Sequence, residues 1–126
     1  ANAYYTSTPE IFMAELFRRC KKLTIKRISG NLRSKQLVID IDTQFLIDLW
    51  YKQDGKCAIS LIPMDHCYSK LTSASVDRID SNGGYTKDNV QLLCKGINML
   101  KNNHAQEEVI NFVDHIAFYN LNTIVR

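Results

Sequence analysis

The sequence predicts a small α+β domain, mainly helical, with a two-stranded hairpin and a helix at its centre. Three observations carry this. Apolar residues recur at helical spacing near both ends of the chain. A segment between them, Ser75 to Lys101, reads strand, glycine turn, strand, helix. Its 126 residues with 45% hydrophobic content support one buried core, and no linker or repeat divides them.

The first helix is expected over about residues 9 to 28. Pro9 follows Ser7 and Thr8, a helix entry with proline in the first turn. Phe12, Leu16, Cys20 and Leu23 should face inward, while Arg18, Lys22 and Lys26 form a row at i, i+4 on another face. Ser29-Gly30-Asn31 supplies the stop. Leu37 to Ile41 is short and β-branched, either a small strand or an extended entry to the next helix. Asp42-Thr43 offers an N-cap, Phe45, Leu46, Leu49 and Trp50 an apolar stripe, and Gly55 the close of a second helix. Gly55 to Ser60 reads as a strand and residues 63 to 74 as a loop.

Gly83-Gly84 between the hairpin strands suggests a turn with positive φ. Asn103 with Gln106 resembles a capping box, and Val109, Ile110, Phe112, Val113 and Ile116 mark a C-terminal helix over about residues 104 to 120. Glu107 and Glu108 in its first turn suit the helix dipole.

Charge is unevenly placed. Net charge is +3, yet eight of the 16 basic residues, and no acidic one, lie between Arg18 and Lys35. Positive charge at that density is favourable beside a phosphate backbone and costly beside itself. No apolar run reaches the roughly 18 residues of a membrane helix. The first ten residues have no basic-then-apolar leader layout. A cytoplasmic protein without membrane attachment is the expectation.

The four cysteines, Cys20, Cys57, Cys67 and Cys94, include no Cys-x-x-Cys pair. Free buried thiols are expected. A structural zinc site drawn from Cys57, Cys67, Cys94 and His66 is not, because the position that would complete a pair reads Cys57-Ala-Ile-Ser60.

The central segment suits phosphodiester chemistry. A hard divalent cation takes oxygen ligands, and a carboxylate with an amide carbonyl supplies two. Asp77 ends the first strand. Asn98 lies on the following helix, with Lys101 one turn beyond it on the same face, within reach of a phosphate. Asn89 opens the second strand, where its amide can bridge the loop backbone and hold the end of the first strand. Asp80 is read as a loop cap or a partner of Arg78, and Tyr85 as packing the turn.

From Gln53-Asp-Gly-Lys-Cys-Ala-Ile-Ser60 through Asp77-Arg-Ile-Asp80, Gly84-Tyr-Thr, Asn89-Val and Asn98-x-x-Lys101, the chain resembles HNH (His-Me finger, ββα-metal) endonucleases of phage and mobile-element type. The resemblance covers about 50 residues. It implies a ββα-metal core over residues 53 to 103, a basic helical region over 9 to 36 that contacts DNA, and a C-terminal helix. It implies metal ligation by Asp77 and Asn98, an orienting Asn89, Mg²⁺ or Mn²⁺ as cofactor, and hydrolysis or nicking of duplex DNA. Arg18, Arg19, Lys22, Lys26, Arg27 and Lys101 would contact the nucleic acid, and a homodimer would allow palindromic cutting.

One position departs from the pattern. Directly after Asp77, where the family places its general-base histidine, stands Arg78. A guanidinium takes no proton from water near neutral pH. Three readings follow. Arg78 binds the scissile phosphate while another group activates the water; a histidine from elsewhere, His66 before His104 or His115, stands in; or the domain binds DNA without cutting it.

Overall fold

The structure is a computed structural model that describes residues 7–30 and 38–122, with residues 25–30 described by backbone alone. The described elements run α1 (Pro9–Gly30), α2 (Thr43–Lys52), β1 (Ala74–Arg78), β2 (Val90–Cys94), α3 (Lys95–Lys101) and α4 (Gln106–Leu121). This is the small α+β arrangement that the sequence predicts. No helix among the described residues is long and apolar enough to cross a membrane.

Helix α1 begins where the sequence places it. Thr8 Oγ1 accepts from the Ile11 amide at 3.2 Å, and Pro9, which has no amide proton to satisfy, occupies the first turn. Phe12, Met13, Leu16 and Cys20 are buried. Leu23 is not. It is 52% exposed, and Thr24 is buried in its place, its hydroxyl donating to the Cys20 carbonyl at 3.0 Å. The inward stripe continues at i+4 from Cys20 rather than at i+3, and the hydroxyl is tolerated because the helix itself supplies an acceptor.

Helix α2 packs on α1. Asp42 caps it, its carboxylate accepting from the Phe45 amide at 2.8 Å, and Leu46 and Trp50 are buried. The helix ends at Lys52, and Gly55 follows with φ +65. A Cβ there would lie 3.2 Å from the Trp50 ring, so both backbone conformation and space call for glycine.

Residues 55–60 do not form the expected strand. Their one ladder contact is an isolated bridge from Lys56 to Pro63. The Cys57 carbonyl accepts from Leu61, whose φ is +64, and the Cys57 amide donates to the Ile62 carbonyl. The chain thus turns back on itself, and of its backbone only Ala58 bonds the sheet, donating to Leu92 O at 3.0 Å. Gln53 completes that edge as a side chain: it donates to Leu92 O and accepts from Leu92 N, both at 3.0 Å.

β1 and β2 pair antiparallel, with Asp77 opposite Gln91 and Arg78 opposite Val90. All of β2 is buried. A two-stranded sheet needs cover, and α1, α2 and α3 supply it. Phe12, Leu16, Leu46, Trp50, Leu92, Leu93 and Val109 belong to the shared core. Ile39 adds an isolated bridge to Tyr85, so of the two readings of the segment before α2, residues 38–41 take the extended entry; Leu37 lies outside the described residues.

Helix α4 departs from expectation at its start. Asn103 makes no cap; Ala105 is the N-cap residue, without a side-chain bond, and Gln106 turns instead toward β2. Of the predicted stripe Val109 is buried, Ile110 and Val113 pack partly on the core, and Phe112 and Ile116 remain 51% and 45% exposed. α4 packs on α3 and reaches β2 through the Gln106 side chain, so only part of its apolar surface finds a neighbour among the described residues.

Candidate functional site

β1 presents alternate residues to opposite faces of the hairpin. Ser75 and Asp77 face α3; Val76 and Arg78 share the other face, toward α1. The residues singled out in the sequence are therefore divided between two sides of one strand.

On the α3 face, Asp77 is the hub. Its Oδ2 accepts from Lys101 Nζ at 2.6 Å and from Gln91 Nε2 at 2.9 Å. Lys101 is 1% exposed, and its ammonium also donates to the carbonyls of Arg78 at 2.8 Å and Ile79 at 2.9 Å. Three protons and three acceptors match, which is what a buried ammonium requires. The expectation that Lys101 reaches a phosphate is corrected here: the side chain is sealed inside and ties the end of β1 to α3. Asn98 Nδ2 donates to Ser75 Oγ at 2.8 Å and, more weakly, to Val76 O at 3.4 Å.

Gln91 and Gln106 extend the network. Gln91 Nε2 donates to Gln106 Oε1 at 2.8 Å while Gln106 Nε2 returns a bond to Gln91 Oε1 at 3.0 Å. This reciprocal amide pair joins the first turn of α4 to the Asp77 carboxylate. Sequence reasoning passed over Gln91 and read Gln106 only as part of a capping box. The signal for Gln91 was a lone amide within Val-Gln-Leu-Leu-Cys, because a polar side chain in a buried strand needs polar partners.

The loop between the strands, residues 79–89, is held by Asn89. Its Oδ1 accepts from the Asp80 amide at 2.8 Å, and its Nδ2 donates to Asp80 O at 3.0 Å and Gly84 O at 2.9 Å. This is the bridge to the loop backbone that the sequence suggested. Asp80 caps the loop locally, accepting from the Asn82 amide at 2.9 Å. The glycines work differently from expectation. Neither Gly83 nor Gly84 has positive φ; they are needed for space. A Cβ on Gly83 would meet Asn89 Nδ2 at 2.7 Å, and one on Gly84 would meet Val38 O at 2.7 Å.

On the α1 face, Arg78 Nη1 donates to Gly83 O at 2.9 Å, and its guanidinium lies over the Tyr85 ring at 5.3 Å. Arg18, Arg19 and Lys22 are exposed on α1, with Arg19 over the Tyr68 ring at 4.5 Å. The side chains of Lys26 and Arg27, and the whole of Arg33 and Lys35, lie outside the described residues.

His66 sits elsewhere. Its ring meets Trp50 edge-on at 6.2 Å, and its Nδ1 is buried without a hydrogen-bond partner. Its neighbour Asp65 bridges to Ser73, at the root of β1, while Asp77 and Arg78 stand at the far end. No hydrogen bond or ring contact joins His66 to Asp77, Arg78 or Asn98 among the described residues. His104 Nδ1 lies 3.1 Å from Glu108, and His115 stacks near Tyr119. The structure therefore brings no imidazole into contact with Asp77 among the described residues.

All four cysteines are free and buried. Burial raises the Cys57 thiol, but hydrogen bonds from the Ser60 side chain and amide, and from the Cys94 and Ile59 amides, outweigh it and leave Cys57 below the usual range. Cys94 moves up, through burial above all. Among the described residues no cluster of three or more His, Cys, Asp or Glu is placed to hold a metal. The set implied by the resemblance is smaller, one carboxylate and one amide. The bonds of Asp77 fall on Oδ2 and those of Asn98 on Nδ2, leaving one hard oxygen on each uncommitted among the described residues. That donor chemistry fits Mg²⁺ or Mn²⁺ completed by water and phosphate. The Lys101 charge beside Asp77 weakens the attraction.

Comparisons of the chain with models of protein families, with curated proteins and with solved structures find no match.

Proposed function

We propose that this domain is a metal-dependent endonuclease or nickase acting on DNA through an HNH-type ββα core. The observation that carries the reading is the Asp77–Asn98 arrangement. A carboxylate at the end of β1 and an amide on α3, anchored to Ser75 of the same strand, each keep an oxygen uncommitted among the described residues. A divalent cation held there by Asp77 and Asn98 would supply charge for the phosphorane and the leaving oxygen.

The remaining roles fall to the chain's own side chains. Asn89 fixes the loop that follows Asp77, so the carboxylate keeps its direction. Lys101 binds Asp77 and the two following carbonyls and holds the end of β1 in register with α3. Arg78, on the α1 face, keeps guanidinium donors beyond the one given to Gly83 and suits a phosphate oxygen better than a proton. Arg18, Arg19 and Lys22 add backbone contacts that give affinity and register without reading sequence.

The test is conversion of supercoiled plasmid to nicked circles with Mg²⁺ or Mn²⁺, comparing the intact chain with Asp77→Asn. Nicking by the intact chain alone supports the reading; no metal-dependent nicking from either protein sinks it. A second reading, an HNH-fold module that binds DNA without cutting, is favoured by one feature. Asp77 is already paired with a buried ammonium, while Arg78 stands where a base would. That module would bind DNA with strong salt dependence and leave the plasmid intact.

A further inference from the structure

A cleft of about 880 Å³ opens between α1 and β1. Arg18, Arg19 and Lys22 stand along it from the helix, and Leu23, Val76 and Tyr85 line it with apolar surface. No acidic residue is among its described lining residues. Val76 precedes Asp77 and shares its face of β1 with Arg78, whose guanidinium lies over Tyr85. The cleft therefore leads toward Arg78.

Size and lining point to a particular occupant. A surface that only grips a duplex needs cations, because the bases are turned inward and the backbone is all that it meets. This cleft pairs its cations with an apolar floor. Its volume falls in the range of about 300 to 1,000 Å³ typical of sites for small ligands, so it admits a nucleotide or two and not a double helix. Unpaired bases find their free energy on such apolar and aromatic surfaces, while their phosphates take the charge.

We propose that the cleft seats an unpaired nucleotide of a DNA strand, its base against Val76, Leu23 and Tyr85 and its flanking phosphates against Arg18, Arg19 and Lys22. The proposal rests on the nucleic-acid reading above and narrows it: the preferred substrate has a locally unpaired strand. Such a strand leaves the cleft beside Arg78, which would receive the next phosphate.

The experiment uses the whole chain in EDTA, so that binding is read without cutting. Fluorescence anisotropy compares a labelled short duplex, the same duplex with one extra unpaired thymidine, and the free single strand. The bulged and single-stranded probes should bind roughly tenfold tighter than the plain duplex. Leu23→Glu, at a position 52% exposed, should remove that preference, with the circular dichroism melt of the variant checking that it folds. Arg18→Gln with Lys22→Gln should weaken all three probes alike. Equal affinity for the three probes, no binding to any, or a preference that survives Leu23→Glu overturns the proposal. Plasmid nicking separates this from the wider reading. Nicking without a preference for unpaired DNA removes the cleft and leaves the endonuclease; a preference without nicking does the reverse.

Discussion

Lys101 Nζ lies 2.6 Å from Asp77 Oδ2, and the two side chains are only 2% and 11% exposed. A pair so far out of water owes its standing to completeness: the ammonium also has the Arg78 and Ile79 carbonyls, and the carboxylate has Gln91. Removing one partner leaves the other charged and buried. Lys101→Met should therefore lower stability by about 3–5 kcal/mol. Lys101→Arg should fail too, since a planar fork cannot aim at three acceptors around one nitrogen. Urea denaturation followed by circular dichroism checks both, and a Lys101→Met protein with unchanged midpoint would show that the pair is dispensable. The same reasoning makes Asp77→Asn a cleaner probe of chemistry than Asp77→Ala, because the amide keeps an oxygen for the ammonium.

Gln106 reaches Asp77 only through Gln91, which makes it a positioning residue in the proposed chemistry. Gln106→Ala removes a reciprocal pair of neutral hydrogen bonds and should cost about 1–3 kcal/mol by leaving Gln91 partly unsatisfied. If the pair also aims the Asp77 carboxylate, the nicking rate at saturating DNA should fall several-fold while DNA affinity stays the same. Equal losses in rate and affinity would reduce its role to fastening α4.

Asn89 uses its oxygen and both amide hydrogens on the loop backbone, at Asp80 and Gly84. Asn89→Asp keeps the acceptor but loses both donors and sets a charge against two carbonyls. It should destabilise by about 1–3 kcal/mol, close to the effect of Asn89→Ala. Gly83→Ala should act through the same residue, because its Cβ would meet Asn89 Nδ2 at 2.7 Å. Thermal melting of the three single variants and of Gly83→Ala with Asn89→Ala tests this. The double variant should lose less than the sum of its parts, and strict additivity would separate the two positions.

The elements that sequence made legible are those whose signals are local. Thr8-Pro9 and Asp42 place helix starts because capping involves neighbours in the chain, and Asn89 was readable because its partners are the loop it closes. What could not be read depends on distant groups. Residues 55–60 have strand-like composition, yet a turn wins because Cys57 and Ile62 bond each other and Gln53 already occupies the edge of β2. Lys101 looks like a surface cation from its place on a short helix; only the approach of β1 turns it into an internal counter-ion. Gln106 has the spacing of a capping box, but Gln91 competes for it and wins. The division of Asp77 and Arg78 between two faces follows from strand alternation, but which helix lies over each face does not.

Tyr68 fastens the loop before β1 to α1 and gives the molecule a pH-sensitive tie. Its hydroxyl donates to Glu15 Oε2 at 3.1 Å, its ring meets Phe12 at 4.8 Å, and Arg19 lies over it. Burial first, and then the bond to Glu15, raise its ionisation above the usual tyrosine value of about 10, against the opposing charges of Arg19 and Arg18. A group raised in the folded state contributes stability that is fully present below its unfolded value and is lost as pH rises through the folded one. The intact protein should therefore lose stability in alkali more steeply than Tyr68→Phe, which has no proton to release there. Below that window the variant should be the less stable by about 1 kcal/mol, the net worth of one hydrogen bond. Denaturation midpoints across the alkaline range, with the tyrosinate ultraviolet difference between the two proteins, measure both effects. Parallel curves throughout would mean that Tyr68 ionises no later than an exposed tyrosine and that its tie to Glu15 adds nothing.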